Sequence, residues 1–201
     1  MKYITSTIVR ATDIALNGNL FGATLLKWLD EYGGLFTYKY LHHIFVTYKM
    51  GDTYFLKSAK LGELIDFYVD GVIFNRISVN FNLIAKQNQS GKEIIKTNMT
   101  FVSVDSETGK TVMLNPFKFE KQEFERFICQ KFSLEEPPIK IDWPGTLQEY
   151  KKKFLAGFYL FTCADKTNAI VKMQKDWGRI LEPSLIAEII ETTNQQGESN
   201  E

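Results

Sequence analysis

The pattern of apolar and polar residues divides the chain into a strand-rich first part and a helical second part. Alternation is clearest at residues 77–83, where Ile77, Val79, Phe81 and Leu83 are separated by polar side chains, as expected for a strand with one buried face. Short turns, several with glycine, separate the predicted strands and indicate an antiparallel sheet; the turns lie at residues 50–52, 60–62, 89–91 and 108–109. The predicted strands are residues 3–9, 43–48, 53–57, 64–74, 77–85 and 94–104.

A long helix is predicted over residues 21–40, because apolar residues recur there at helical spacing and no proline interrupts them. Its few charged positions are Lys27, Asp30, Glu31 and Lys39. A helix that is apolar on nearly all sides is expected to lie inside a protein. One long helix with one antiparallel sheet makes an α+β architecture.

The distribution of proline and glycine predicts a domain boundary. All five prolines follow residue 115, and nine of the thirteen glycines precede it, so the two parts differ in structure. We predict a strand-rich domain over residues 1–117, a helical C-terminal extension over 118–193 and a disordered tail over 194–201. The run Lys151-Lys152-Lys153 is expected to form a solvated helix face. The predicted helices of the extension are residues 121–132, 146–162, 168–181 and 184–193.

Charge and cysteine content argue against several classes of function. The 24 basic and 24 acidic side chains balance, so the chain lacks the excess of positive charge typical of nucleic-acid or anionic-membrane binders. Cys129 and Cys163 form neither a disulfide framework nor a zinc-ligand spacing. No signal-peptide stretch or run of about 20 apolar residues is present. We expect a cytoplasmic protein with no metal and no nucleic-acid or membrane partner.

The candidate chemistry lies between residues 13 and 34. A polar loop containing Asn17 and Gly18 leads into the long helix, whose first turn contains Gly22 and Ala23. The N–H groups at a helix N-terminus are unpaired and favour negative charge, and small side chains allow a substrate carbonyl to approach them. This composition is typical of an oxyanion hole. On spacing alone, a helix start that uses small residues for packing is the simpler interpretation.

Asp30 is unusual because a carboxylate on an apolar helix is costly unless it is paired or functional. A catalytic role and a structural ion pair are both open. Asp30 follows Gly22 by eight residues, which places it about 12 Å along the helix and roughly 80° around it. One small carbonyl cannot touch both groups, so a shared site requires a second copy of the chain. Gly33 and Gly34, each costing about 1 kcal/mol against alanine in a helix, indicate either a subunit seam or a kink.

The segment DIALNGNLFGATLLKWLDEYGG resembles the acyl-CoA thioesterases of the hotdog superfamily. The signature of that family is an asparagine and a glycine in a loop, a Phe-Gly-Gly stretch, and then an apolar helix that carries an acid. The loop and the Phe-Gly-Gly stretch correspond to residues 15–23 of this chain, and the helix that carries the acid corresponds to residues 25–31. The resemblance continues through residues 46–47, 60–64, 76–79 and 99–105, and it ends near residue 116.

The resemblance implies a hotdog fold, in which the sheet wraps around the central helix, and a dimer or a dimer-based tetramer or hexamer. It implies hydrolysis of acyl-CoA to free acid and CoA, with no cofactor beyond the CoA of substrate and product. Asp30 would activate water or attack the thioester, and the backbone N–H groups of Gly22 and Ala23 would polarise the carbonyl. Arg76 and Ser78 match a family stretch that lies beside the CoA moiety.

The sequence also departs from the family pattern. The family asparagine falls at Ala15, and Asn17 would replace it only in a remodelled loop; the second glycine of the pair is Ala23. These changes favour, as an alternative, a hotdog module that binds acyl-CoA without cleaving it. A hydratase or dehydratase would need a histidine beside the acid, whereas His42 and His43 follow the helix end and fit a capping role.

Overall fold

The computed structural model describes residues 1–139, 141, 144–163 and 165–198. It divides into two compact units, Met1–Leu114 and Asn115–Glu201. The division falls close to the boundary predicted at residue 117 from proline and glycine content.

The first unit contains one α-helix and a five-stranded sheet. Helix α1 covers Gly22–Leu41, and the strand order is β1-β3-β4-β5-β2, with every neighbouring pair antiparallel. The predicted α+β architecture is therefore confirmed. The strands are β1 Lys2–Ile8, β2 Phe45–Phe55, β3 Leu64–Phe74, β4 Ser78–Gln87 and β5 Glu93–Ser103.

Strand β2 corrects one prediction. Two strands over 43–48 and 53–57, joined by a turn at 50–52, were expected, but β2 is a single strand whose register against β5 shifts twice. At one shift the backbone of Gly51 passes so close to β5 that a Cβ there would lie 3.2 Å from the carbonyl oxygen of Asn98. Glycine at this point permits a bulge rather than a chain reversal.

The core of the first unit lies between α1 and one face of the sheet. Val79, Phe81 and Leu83 are fully buried, as their alternation predicts. Phe36 of α1 meets Phe81 edge-on, with ring centroids 5.0 Å apart. The helix buries one face only, because Tyr38 on its other side remains 73% exposed. The expectation of an enclosed helix is therefore wrong for the single chain.

Close packing between α1 and β5 accounts for Gly33. A Cβ at this position would lie 2.6 Å from Cζ of Phe101, whereas a Cβ at Gly34 would meet nothing within 4 Å. A close contact within the chain thus explains Gly33, and the hypothesis of a subunit seam concerns Gly34 alone.

Among its described residues the second unit contains four α-helices, which confirms the predicted helical extension. A capping box between Thr146 and Glu149 begins α3, and the Asp165 side chain caps α4. Helix α5 ends at Glu198, five residues beyond the predicted end at residue 193. Thr193 is not a helix terminus, because its side chain is fully buried and donates to the carbonyl oxygen of Ile189. Residues 199–201 of the predicted tail lie outside the described residues. The helices are α2 Lys121–Lys131, α3 Leu147–Thr162, α4 Lys166–Trp177 and α5 Pro183–Glu198.

Lys151 contradicts the predicted solvated lysine face. Its side chain is fully buried, and Nζ donates to the carbonyl oxygens of Phe117 at 2.7 Å and Phe119 at 2.5 Å. Burial lowers the pKa of Lys151 to about 8, against an opposing effect of Glu120. The lysine therefore ties the start of the second unit to α3.

Candidate active site

The loop before α1 holds its shape through its own hydrogen bonds. The backbone N–H of Ala15 donates to the carbonyl oxygen of Asn19 at 2.8 Å, and that of Gly18 donates to Ala15 at 2.9 Å. Gly18 has φ +74°, a conformation that favours glycine. The side-chain oxygen of Asn17 accepts from the N–H of Asn19 at 3.1 Å. The carbonyl end of Asn17 is thus engaged within the loop, and its predicted catalytic role stays a prediction.

The first turn of α1 leaves two N–H groups available. Phe21 occupies the N-cap without a side-chain hydrogen bond, and its carbonyl oxygen accepts from Thr24 and Leu25. Within the part of the chain that the structure describes, the N–H groups of Gly22 and Ala23 donate to no partner. Two adjacent unpaired donors at the positive end of a 20-residue helix can bind an oxyanion.

Gly22 also has a packing role. A Cβ there would lie 3.3 Å from Cε1 of Phe55, at the end of β2. Ala23 is exposed, so its small side chain leaves the approach from solvent open. Packing against Phe55 therefore accounts for the small residue at position 22, and the small residue at position 23 leaves room for a substrate to approach.

Asp30 is exposed in the single chain, on the face of α1 that the sheet does not cover. The hydroxyl of Thr47, on β2, donates to Oδ1 of Asp30 at 2.5 Å. No basic side chain among the described residues forms an ion pair with Asp30, which removes the structural alternative within this part of the chain. The carboxylate is held by a neutral donor and retains free lone pairs.

Thr47 is the residue that sequence reasoning missed. It falls within the family resemblance at residues 46–47, but nothing in its local pattern shows what its side chain contacts. Thr47 pairs with Phe101 of β5, and Phe101 is buried against α1. Only the register of β2 reveals the contact with Asp30.

The structure does not bring Asp30 to the donors at the helix start. Asp30 and Gly22 lie on one continuous helix, about 12 Å apart along its axis. A single chain therefore presents two half-sites, the carboxylate with Thr47 and the free N–H groups of Gly22 and Ala23.

Arg76 and Ser78 lie at the same end of the sheet as Asp30. Ser78 pairs with Val102, which pairs in turn with Val46 beside Thr47, so Ser78 is roughly 10 Å from β2 across two strand spacings. The side chain of Arg76 is exposed, and its Nε donates to the sulfur of Met113 at 3.2 Å. No carboxylate in the described ranges pairs with this guanidinium.

The two histidines stand apart from the carboxylate. His42 forms the C-cap of α1 with φ 49°, twelve residues and about 18 Å of helix beyond Asp30. His43 is buried, with Nδ1 3.2 Å from the hydroxyl oxygen of Ser103. Neither histidine stands beside Asp30 in this chain, so the pairing that a hydratase would use is missing within it.

Among the described residues, no group of three or more histidine, cysteine, aspartate or glutamate side chains could hold a metal ion. None of the helices in that part of the chain is both long and apolar enough to cross a membrane.

No protein-family model matches the sequence, and a search of curated proteins returned no match. Solved structures do resemble it. The hexameric thioesterase y2039 from Yersinia pestis is 23% identical, with a TM-score of 0.52 over 56% of this chain and 94% of its own. The hexameric broad-specificity acyl-coenzyme A thioesterase HI0827 is 21% identical, with a TM-score of 0.53 over 64% and 89%. An acyl-CoA hydrolase from Staphylococcus aureus, complexed with butyryl coenzyme A, is 22% identical, with a TM-score of 0.50 over 55% and 66%.

At these identities the likeness concerns the fold. In this chain the aligned fold consists of a five-stranded antiparallel sheet with a long helix packed on one face of it. The chain therefore has the hotdog fold, followed by a helical C-terminal extension.

Proposed function

We propose that the protein is an acyl-CoA thioesterase whose active site is shared between two copies of the chain. The observation that carries the proposal is the pair of half-sites on α1. Asp30 is an exposed carboxylate without an ion-pair partner among the described residues, oriented by Thr47 at 2.5 Å. The N–H groups of Gly22 and Ala23 are free at the other half-site. A base and an oxyanion hole are the two parts that thioester hydrolysis needs.

A second copy is the simplest way to unite these half-sites. Under two-fold symmetry, Asp30 of one copy facing Gly22 of the other implies the reverse contact as well, so a dimer has two equivalent sites. The y2039 and HI0827 thioesterases are hexameric, which supports an assembly built from such dimers here.

Strand β2 offers a surface for this association. It lies at one edge of the sheet and is 11 residues long, and an unpaired edge of that length is a template for another strand. Val46, Tyr48 and Tyr54 on this strand are 49%, 75% and 55% exposed. Pairing two copies of β2 would satisfy the edge and bring the two copies of α1 to the same side of one continuous sheet.

The proposed reaction proceeds by general-base attack of water. Asp30 takes a proton from water, whose oxygen forms a bond to the thioester carbonyl carbon. The electron pair of the carbonyl moves onto its oxygen, where the N–H groups of Gly22 and Ala23 bind it. When the intermediate collapses, the C–S bond breaks, and the proton held by Asp30 passes to the CoA sulfur. Direct attack by the Asp30 carboxylate is the variant in which an anhydride forms first and water then cleaves it.

Arg76 fits the CoA end of the substrate. An exposed guanidinium without a carboxylate partner among the described residues can bind phosphate through two parallel hydrogen bonds. We expect Arg76 to bind the phosphates while the thioester lies at Asp30, because Ser78, two residues on, lies two strand spacings from β2, the strand that carries Thr47.

A second candidate function is binding of acyl-CoA without cleavage. Ala15 favours it, because alanine stands where the related family has an asparagine and its backbone N–H and carbonyl are both used within the loop. In this case the site would hold the thioester without positioning water well.

Thiol release from a panel of acyl-CoAs tests the proposal. We expect turnover by the unmodified protein and a loss of about 10²–10⁴-fold in kcat for Asp30→Asn, since the amide cannot act as a base. Glu31→Gln is the matched control, because it removes a neighbouring exposed carboxylate from the same helix. Activity of that variant should be unchanged.

The outcomes separate the two candidates. Absence of thiol release together with CoA binding measured by calorimetry would support the binding module. Equal losses in Asp30→Asn and Glu31→Gln would contradict a specific role for Asp30.

A further inference from the structure

The ring of Phe55 lies against the first turn of α1. Phe55 is the last residue of β2, and its Cε1 and Cζ atoms are 3.3 Å and 3.7 Å from the point that a Cβ at Gly22 would occupy. Apart from the chain neighbours of Gly22, no other described side chain comes within 4 Å of that point. Phe55 therefore borders the helix turn that carries the two free N–H groups.

Backbone hydrogen bonds fix the segment that carries Phe55 and join it to the loop that leads into α1. The N–H of Leu56 donates to the carbonyl oxygen of Ile94 on β5 at 2.8 Å, which ties the end of β2 to the sheet. The N–H of Leu20 donates to the carbonyl oxygen of Ala59 at 2.8 Å, and Ala59 is fully buried. Because both segments are held, the surface between the ring and the helix start is formed before a ligand arrives, which lowers the cost of binding.

This surface is apolar and open to solvent in the single chain. Phe55 is 55% exposed, and Phe21, which directly precedes the N–H donors in the chain, is 54% exposed. Residues 14–26 and 53–56, which make up the two segments, contain no acidic or basic side chain. An aliphatic chain gains free energy by covering such a surface, whereas neither segment offers a phosphate the charged donor that it needs.

The proposed shared site determines which end of the thioester meets this surface. A carbonyl carbon carries three groups that point away from one another, which in the substrate are the oxygen, the sulfur and the acyl chain. In the proposed site the oxygen lies at the N–H groups of Gly22 and Ala23, and the CoA moiety extends toward Arg76 of the copy that supplies Asp30. The acyl chain is the remaining group, and it leaves along the copy whose Phe55 borders the donors.

We propose that Phe55 determines the acyl specificity of the site by forming one wall of a subsite for an aliphatic acyl chain. The inference rests on the proposed function for the position of the carbonyl, but it requires only that acyl-CoA binds and not that it is cleaved. The methylenes next to the carbonyl lie against one face of the ring. Full burial of a methylene corresponds to about a fourfold gain in affinity, so a methylene covered on one side gains about twofold.

Binding of a series of acyl-CoA analogues to the full chain tests the subsite without turnover. Oxoalkyl-CoA thioethers keep the carbonyl but lack the acyl–sulfur bond that hydrolysis breaks, and their chains are lengthened one methylene at a time. Calorimetry should show that Kd falls about twofold for each of the first methylenes. In Phe55→Ala this dependence on chain length should disappear, and Phe55→Leu, which keeps an apolar side chain, should retain part of it. Circular dichroism checks that each variant is folded.

Leu56→Ala is the matched control. Leu56 directly follows Phe55 and is exposed to nearly the same degree, at 54%, but it does not come within 4 Å of the Cβ position at Gly22. The dependence of Kd on chain length in this variant should equal that of the unmodified protein. The affinity for CoA itself should be the same in all the variants, because CoA has no acyl chain to meet the ring.

Two results would overturn the proposal. The first is a dependence on chain length that persists in Phe55→Ala; if the dimer of that variant also dissociates more readily in sedimentation experiments, the ring is a subunit contact instead. The second is a loss of affinity that is equal for CoA and for every analogue, which would place the pantetheine arm against the ring.

Failure of the proposed function looks different. A protein that binds the analogues with a chain-length dependence due to Phe55, but releases no thiol from acyl-CoA, keeps the acyl subsite and loses the hydrolase assignment. Thiol release that requires Asp30, with a dependence of kcat/KM on chain length that Phe55→Ala leaves unchanged, keeps the hydrolase and refutes the subsite. Absence of both binding and thiol release would contradict both.

Discussion

Adjacent glycines in the middle of α1 provide a matched pair of substitutions. Gly33→Ala would place a Cβ 2.6 Å from Cζ and 2.9 Å from Cε2 of Phe101. That ring is 1% exposed and stacked on Phe81, with centroids 5.3 Å apart and planes 10° apart, so it has little room to move away. Gly34→Ala would place a Cβ in open space.

The expected effect on stability follows from two opposing contributions. Both substitutions gain about 1 kcal/mol of helix propensity. At position 33, overpacking opposes this gain by about 1–3 kcal/mol, whereas at position 34 the single chain gains the full amount. Because the propensity is common to both, the free energy of unfolding of Gly33→Ala should be lower than that of Gly34→Ala by about 1–3 kcal/mol.

Urea unfolding followed by circular dichroism measures this difference. Titrations at several protein concentrations separate the stability of the chain from that of its association. Equal stability of the two variants, or a more stable Gly33→Ala, would refute the reasoning that the helix–sheet contact requires glycine. A Gly34→Ala protein whose chain is more stable but whose dimer dissociates more readily would support a subunit seam at Gly34.

Two further predictions concern the candidate site and the second unit. Thr47→Val should lower kcat about 10- to 100-fold with little change in KM, because a hydrogen bond to a charged group contributes about 1.5–3 kcal/mol and Asp30 loses its orientation; unchanged steady-state kinetics would contradict this. Folding lowers the pKa of Lys151 from 10.5 to about 8. Between these two pH values the folded chain has released a proton that the unfolded chain still holds. Stability should therefore rise with pH, by about 2 kcal/mol from pH 7 to 9.5. In Lys151→Met this rise should disappear from urea titrations, and a rise that persists would assign it to another group.

Local pattern determined most of the elements of this protein. The alternation around Phe81 predicts a half-buried strand, and the structure buries Val79, Phe81 and Leu83 completely. The helix predicted over residues 21–40 is observed at Gly22–Leu41. These features are local consequences of a period of two or of 3.6 residues, so they can be deduced without knowing what the segments pack against.

The sequence pattern also identified Asp30, Gly22 and Ala23 as an unusual combination, but it did not reveal which residues surround them. The apolar composition of the helix predicted that it lies inside the protein, whereas in the single chain Asp30 is exposed because the sheet covers only one face of α1. Thr47 could not be assigned, since its contact with Asp30 depends on the register of β2 against β5. Register is set by pairing between distant segments, and two bulges in β2 change it locally.

Only the tertiary structure showed the role of several residues whose residue type is compatible with more than one role. Gly51 permits a bulge rather than a turn, Gly33 permits a helix–sheet contact, and Lys151 is buried against two carbonyl oxygens rather than solvated. In each case the deciding atom belongs to a residue far away in sequence or on another element. Local propensity reports the average environment of a residue type, whereas the steric and hydrogen-bonding demands of these positions come from neighbours that only the folded chain brings within a few ångströms.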